Sequence, residues 1–325
     1  MLRQLGELYT VSAKHWTAPL LGTRCTLSQT RLPPIQIRSY WKPAKMDKET
    51  VKMLVLETDS PHPHTLQERG SFGQVFSHVF KTAGQNHNPP LGIDVDMHYV
   101  VDDPAKGKHG HVPKFQDIPG DVRAVLITGS LYDAHGNDPW IQDLRSLITD
   151  LWRTRPGMKF SGICFGHQLL GRVLGAKVEP TPGRQWELAH VNMDLTKVGQ
   201  KLFLTDDTKL ALHQMHQDQV KTMPSSDSTD LLPPGAKVHN WASSEHTKIQ
   251  GLYIRDRLFT SQGHLEIDGP MVHRQLQLRI EAGAITEKNR DEVQYAEATS
   301  HLEHDGEVLA AAILRFFHGD DHDID

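Results

Sequence analysis

Four short apolar runs, VKMLVLET (51–58), GIDVDMHYV (92–100), RAVLITGS (123–130) and MKFSGI (158–163), constrain the fold more than anything else in the 325 residues. The first, a short apolar run ending in polar residues and Pro, has the pattern of a buried parallel strand, and the other three read as further strands. Segments of helical spacing separate them. Phe72, Val75, Phe76, Val79 and Phe80 recur along 66–84, with Gly84 as the stop, and 138–152 opens with Asp138 as N-cap and Pro139 at the first helical position. Strands alternating with helices imply right-handed crossovers and a parallel sheet, an α/β fold. Beyond Lys177 the pattern turns to strands at 186–196, 209–220, 237–244, 249–255 and 258–268, then to helices at about 269–282, 288–300 and 306–318. Neither an internal repeat nor a long linker interrupts it. One domain is expected over 51–318, with the acidic tail 319–325 disordered.

With 38% hydrophobic and 23% charged residues, the chain can bury a sizeable core. Its net charge of −5, without a long basic run in the core, gives no footprint for nucleic acid. No apolar stretch approaches the roughly 20 residues of a membrane span. The two cysteines, Cys25 and Cys164, are too few for a disulfide framework and point to a reducing, intracellular setting for a soluble protein. Residues 1–45 carry Arg3, Lys14, Arg24, Arg31, Arg38, Lys42 and Lys45 against the single acid Glu7. That composition fits a transit peptide into the mitochondrial matrix; the alternative is translation from Met46 and a cytoplasmic protein.

Cys164 sits in KFSGICFGHQLLGRVLGAK (159–177), where a strand run becomes a helical pattern. Such a turn is tight and needs small neighbours, which Gly162 and Gly166 supply. The free amides and dipole at the helix start favour a thiolate there. The N–H of Phe165, next after the cysteine, points where an oxyanion would develop. A lone cysteine can equally be an inert small hydrophobe, so a partner base has to distinguish the two. Among 21 histidines the informative one is in LFTSQGHLEIDG (258–269), where His264 and Glu266 are two apart. In extended backbone they share a face, so Glu266 can orient the His264 ring. Cysteine, histidine and acid form the nucleophile, base and orienter of covalent catalysis.

These residues resemble the class I, or triad, glutamine amidotransferases. Gly162, Cys164, Gly166 and Gln168 match the family's Gly-x-Cys-x-Gly-x-Gln, with Gly175 at its later glycine. His264-Leu265-Glu266 matches the distal His-x-Glu, lacking only the usual middle proline. The resemblance implies a flavodoxin-like fold with a central, mostly parallel sheet flanked by helices. It also implies a second oxyanion donor at Gly129 and substrate contacts at Ser130, Gln168 and His216, although His216 can equally be a hydrogen-bonded structural residue. The Gly129-Ser130 loop, 183–191 and 216–220 look most like the stand-alone plant γ-glutamyl peptidases and related fungal proteins.

The expected activity is therefore a cysteine hydrolase. It cleaves the γ-glutamyl amide of glutamine, or of γ-glutamyl peptides such as glutathione or its conjugates, through a glutamyl thioester, with no cofactor and no metal. Two alternatives remain open: a glutaminase subunit that supplies ammonia to a separate synthetase, as in GMP synthase, and a non-enzymatic member of the fold. No Gly-rich nucleotide-binding loop is present, so this chain alone cannot complete an ammonia-dependent synthesis. The His-rich pieces at 60–64 and 318–323 read as solvated surface.

Overall fold

The computed structural model describes residues 50–321 and Ile324. The basic segment 1–45 and Cys25 lie outside the described residues. The first half of the fold comprises β1 (Val51–Glu57), α1 (Pro63–Arg69), α2 (Phe72–Asn86), β2 (Ile93–Tyr99), the two-residue pair β3 (Asp102–Asp103) and β4 (Lys108–His109), β5 (Ala124–Ile127) and α3 (Pro139–Thr154). Next come β6 (Lys159–Ile163), α4 (Phe165–Val173), β7 (Val178–Pro180), β8 (Glu187–Leu195), α5 (Lys197–Phe203), β9 (Lys209–His216) and β10 (Asp218–Val220). The chain closes with β11 (His239–Asn240), β12 (Ala242–Ser243), β13 (Leu252–Ile254), β14 (Leu258–Ser261), α6 (Gly269–Glu281), α7 (Arg290–Thr299) and α8 (Gly306–Phe317).

The main sheet runs β11-β13-β14-β6-β5-β1-β2. All neighbours from β14 to β2 are parallel, and β13 and β11 add an antiparallel edge. Taken in chain order the five parallel strands lie 2-1-3-4-5, the flavodoxin-like order, whose sites open at the carboxyl edge. Alternation along each strand feeds two cores. Met53 and Val55 of β1 pack with Phe76, Phe80, Ile313 and Phe316, whereas Leu54 and Leu56 pack with Trp140, Leu144, Ile148 and Leu169. Thus α2 and α8 cover one face, and α3 and α4 the other. A separate antiparallel sheet, β12-β8-β9, is built from the chain between α4 and β14.

Several boundaries differ from the sequence pattern. The helical run 66–84 is two helices, broken at Gly70 (φ 81°), after which Ser71 caps α2 reciprocally with Gln74. Gly84 does not end α2, which continues to Asn86; Pro89 and Pro90 follow and cannot extend it. The run 258–268 is a strand only to Ser261. The tail is not wholly free: Asp321 is buried and accepts a hydrogen bond from the Tyr253 hydroxyl at 2.6 Å, and Ile324 joins the α8 core. Strand β13, one in from the sheet edge, offers that hydroxyl, which a composition-based reading of the tail cannot register.

Among the described residues no helix is long and apolar enough to cross a membrane.

The β6–α4 turn depends on close approach. A Cβ on Gly166 would stand 2.2 Å from the Ile127 carbonyl oxygen, and one on Gly162 would stand 2.4 Å from the Gly166 carbonyl carbon. Both obstacles are backbone, so neither can rotate away. Gly166→Ala should therefore cost about 3 kcal/mol of stability, as overpacking does. A denaturant midpoint unchanged from wild type would refute this close-packing account.

Candidate active site

Cys164 is the N-cap of α4, with φ 52° and ψ −102°. A non-glycine residue here is strained, and such strain persists only where surroundings over-determine it. They do so from three sides: Cys164 N donates to Ser261 O at 2.8 Å, Gly166 N to Thr128 O at 3.2 Å and Gln168 N to Cys164 O at 3.1 Å. None of these bonds uses the N–H of Phe165 or Gly129. The Cys164 side chain is buried, as is Phe165, whose ring stacks on Trp140.

The loop after β5 is tied to the loop after β1. Thr58 Oγ1 donates to the carbonyls of Thr128 (3.1 Å) and Gly129 (3.0 Å), and Ser130 Oγ donates to Thr58 O at 2.6 Å. Leu131 N donates to Asp59 Oδ2 at 2.7 Å. The hydroxyl of Ser130 thus anchors its own loop and also accepts from Tyr132 N. Gly129 is held where Cys164 and His264 meet: a Cβ there would lie 3.0 Å from His264 Cε1 and 3.6 Å from Cys164 Cβ.

His264 N donates to His213 O on β9, so the antiparallel sheet helps to fix its position. Its Nδ1 lies 2.8 Å from Glu266 Oε1, an acceptor, so Nδ1 carries the proton. Nε2 has no hydrogen-bond partner among the described residues. Burial pushes the imidazole pKa down, but the Glu266 carboxylate and the Cys164 sulfur outweigh it and hold the value up at about 10. The three residues named from sequence are therefore brought together.

The other named residues form the walls. Gln168 donates to Asp218 O at 2.9 Å and to Gln262 Oε1 at 3.1 Å. His216 places Nδ1 2.9 Å from Asp218 O and Nε2 2.8 Å from Glu187 Oε2, so neither ring nitrogen is left for a substrate. Burial raises the Glu187 carboxyl, but His216 and Ser244 more than offset this and bring it to about 2. His167, also buried, bonds Thr260 Oγ1 and is pushed down to about 3 by burial and by nearby His216. A cavity of about 340 Å³ opens in front of Cys164, lined also by Ser130, Gln168, Trp186, His216, Asp218 and Arg279.

Arg279 was not among the residues singled out from sequence. It falls on the buried stripe of α6, in line with Met271 and Gln275, where a charge on an apolar face is the one legible signal. Asp133 and Asp218 also line the cavity and converge with His135, whose Nδ1 is 3.1 Å from Asp218 Oδ2. Burial and Asp133 push the Asp218 carboxyl up.

A strained cysteine turn at the carboxyl edge of a flavodoxin-like sheet places the chain in a recognisable class of α/β proteins. It belongs to the class-I glutamine amidotransferase family. The family profile, glutamine amidotransferase class-I, matches residues 138–276. A Saccharomyces cerevisiae protein named as a candidate glutamine amidotransferase is 33% identical over 208 residues, 63% of this chain and 76% of that one. γ-Glutamyl peptidase 5 of Arabidopsis thaliana is 31% identical over 199 residues, 60% of this chain and 69% of that one. A glutamine amidotransferase of Thermotoga maritima shares the fold with a TM-score of 0.53 at 18% identity, covering 83% of this chain and 99% of that structure.

Proposed function

We propose that this chain is a cysteine hydrolase that cleaves the γ-glutamyl amide bond of glutamine or, preferentially, of γ-glutamyl peptides such as glutathione or its conjugates. The observation that carries the reading is the meeting of Cys164 and His264 at Gly129, with His264 Nδ1 held on Glu266. The thiolate of Cys164 attacks the side-chain carbonyl carbon of the glutamyl group. The oxyanion is taken by the N–H groups of Gly129 and Phe165, which the local backbone bonds leave unused. The C–N bond breaks as His264 Nε2 gives its proton to the departing amine, leaving a glutamyl thioester on Cys164. Water then adds to the thioester, its proton passes to His264, and glutamate departs as the C–S bond breaks. Glu266 holds the ring and balances its charge throughout.

Support for a peptide leaving group comes from the cavity and from the relatives. Its volume of about 340 Å³ suits a small ligand, and Arg184, Asp133 and Asp218 are among its lining residues, charges of both signs that suit a zwitterion. The Arabidopsis relatives named γ-glutamyl peptidases point the same way.

The test is glutamate release by the purified full-length chain from glutamine, glutathione and a glutathione S-conjugate. Release from the γ-glutamyl peptides is expected. Release from glutamine alone would instead favour an ammonia donor working with a separate synthetase, and no release from any of the three would count against hydrolysis.

A further inference from the structure

Arg279 is a buried cation without a paired carboxylate, and the negative groups that it feels are the Cys164 sulfur first and Asp59 second. Its residue is only 5% exposed, yet it makes no ion pair with a described carboxylate. Nη1 donates to the carbonyl of Gln275 (3.1 Å) and to its Oε1 (2.8 Å), both neutral acceptors. Nε is buried and unbonded, and no hydrogen bond is made by Nη2 among the described residues. Trp186 lies 5.7 Å from Cζ. Asp59, a carboxylate near enough to be felt, is already engaged by Lys108, Ser60 N and Leu131 N.

Burial alone does not leave an arginine in this state. Arg257 is half-buried in the same protein, and its Nη1 and Nη2 donate to the carbonyls of Trp152, Arg155, Pro156 and Met158 while it stacks on Trp152 and Phe160. A desolvated charge with an unbonded edge is unfavourable unless an anion completes it. The unbonded Nε–Nη2 edge is the one that grips a carboxylate with two parallel hydrogen bonds. Arg279 lines the cavity that Cys164 and Phe165 also line.

We propose that Arg279 anchors a carboxylate of the γ-glutamyl substrate side-on through Nε and Nη2, an inference that rests on the hydrolase reading above. A γ-glutamyl peptide offers two such groups, the α-carboxylate of the glutamyl residue and the C-terminal carboxylate of the leaving group. Burial brings the guanidinium down to about 10, which leaves it charged at neutral pH.

Binding, rather than turnover, isolates the claim. Full-length Cys164→Ala is titrated calorimetrically with γ-glutamylglycine and with its two mono-amides, one blocked at each carboxyl group. One mono-amide should bind about 100-fold more weakly than the parent, the scale of losing a buried charged partner. Adding Arg279→Gln should weaken the parent by the same factor and that mono-amide no further; the mono-amide affected tells which carboxylate is held. Equal binding of all three compounds would overturn the assignment without any change at Arg279, so a poorly folded variant cannot shelter it. Failure of the parent to bind, or undiminished binding by a folded Arg279→Gln protein, would overturn it too. Arg279-dependent binding in a protein whose wild type releases no glutamate would sink the hydrolase reading and leave the anchor standing.

Discussion

Cys164→Ala abolishes glutamate release while leaving the protein folded: this is the largest effect expected of any single substitution. Loss of a nucleophile that acts as one unit with its base lowers turnover on the order of 10⁶-fold. The side chain removed is one sulfur atom in a buried corner whose geometry is set by backbone bonds to Ser261, Thr128 and Gln168. Those bonds survive the change, so the thermal midpoint should move by only a few degrees. Rapid-quench mass spectrometry should detect a glutamyl adduct on the wild type and none on the variant. Residual turnover within tenfold of wild type would remove Cys164 from the chemistry.

Glu266→Gln is expected to lower kcat/KM by about 10² to 10⁴, the usual worth of a positioned acid–base group, and to move the alkaline limb of the pH profile downward. The sign follows from the charges around His264. Burial works against the imidazolium, and the Glu266 carboxylate is the foremost group that restores it to about 10. Removing that charge lets burial prevail, so the proton needed by the leaving amine is lost at lower pH. Stability follows the same linkage. A histidine raised from 6.5 to about 10 on folding contributes stability that is complete below 6.5 and lost as pH rises through 10, and this slope should flatten in the variant. A profile whose alkaline limb stays in place would show that His264 is not the titrating acid.

How much of this was legible in the sequence depends on what each residue's neighbours are. The buried strands β1, β5 and β6 and the last three helices were readable because both-face burial and helical periodicity are local properties, whereas β2 forms the sheet edge with only Ile93 buried. The Cys164 turn was readable because its glycines and its cysteine lie within five residues, and His264 and Glu266 because they are two residues apart, although the strand ends at Ser261 and the pair sits in a bend beyond it. Helix α5 was not, since Lys197–Phe203 is too short for periodicity and owes its start to Thr196 accepting from Gly199 N. The break at Gly70–Ser71 lay inside a pattern whose apolar spacing continued across it. For Ser130 and His216 the motif placed the residue correctly beside the cavity, but their hydrogen-bonding groups are spent on Thr58, Asp218 and Glu187, partners that only tertiary structure supplies. Arg279 was hidden for the same reason: a lone arginine in a helical pattern acquires meaning once its missing counter-charge can be seen.

Strand β14 lies parallel beside β6, and its last residue, Ser261, accepts the Cys164 N–H. The nucleophile and the base beyond that strand are about a hundred residues apart in the chain, while their strands are nearest neighbours. A nascent chain that has formed the Cys164 turn therefore still lacks the strand that completes it and the histidine that would work with it. Competence arrives late in synthesis, with the final parallel pairing, and an unfinished or prematurely terminated chain carries a cysteine without the means to use it.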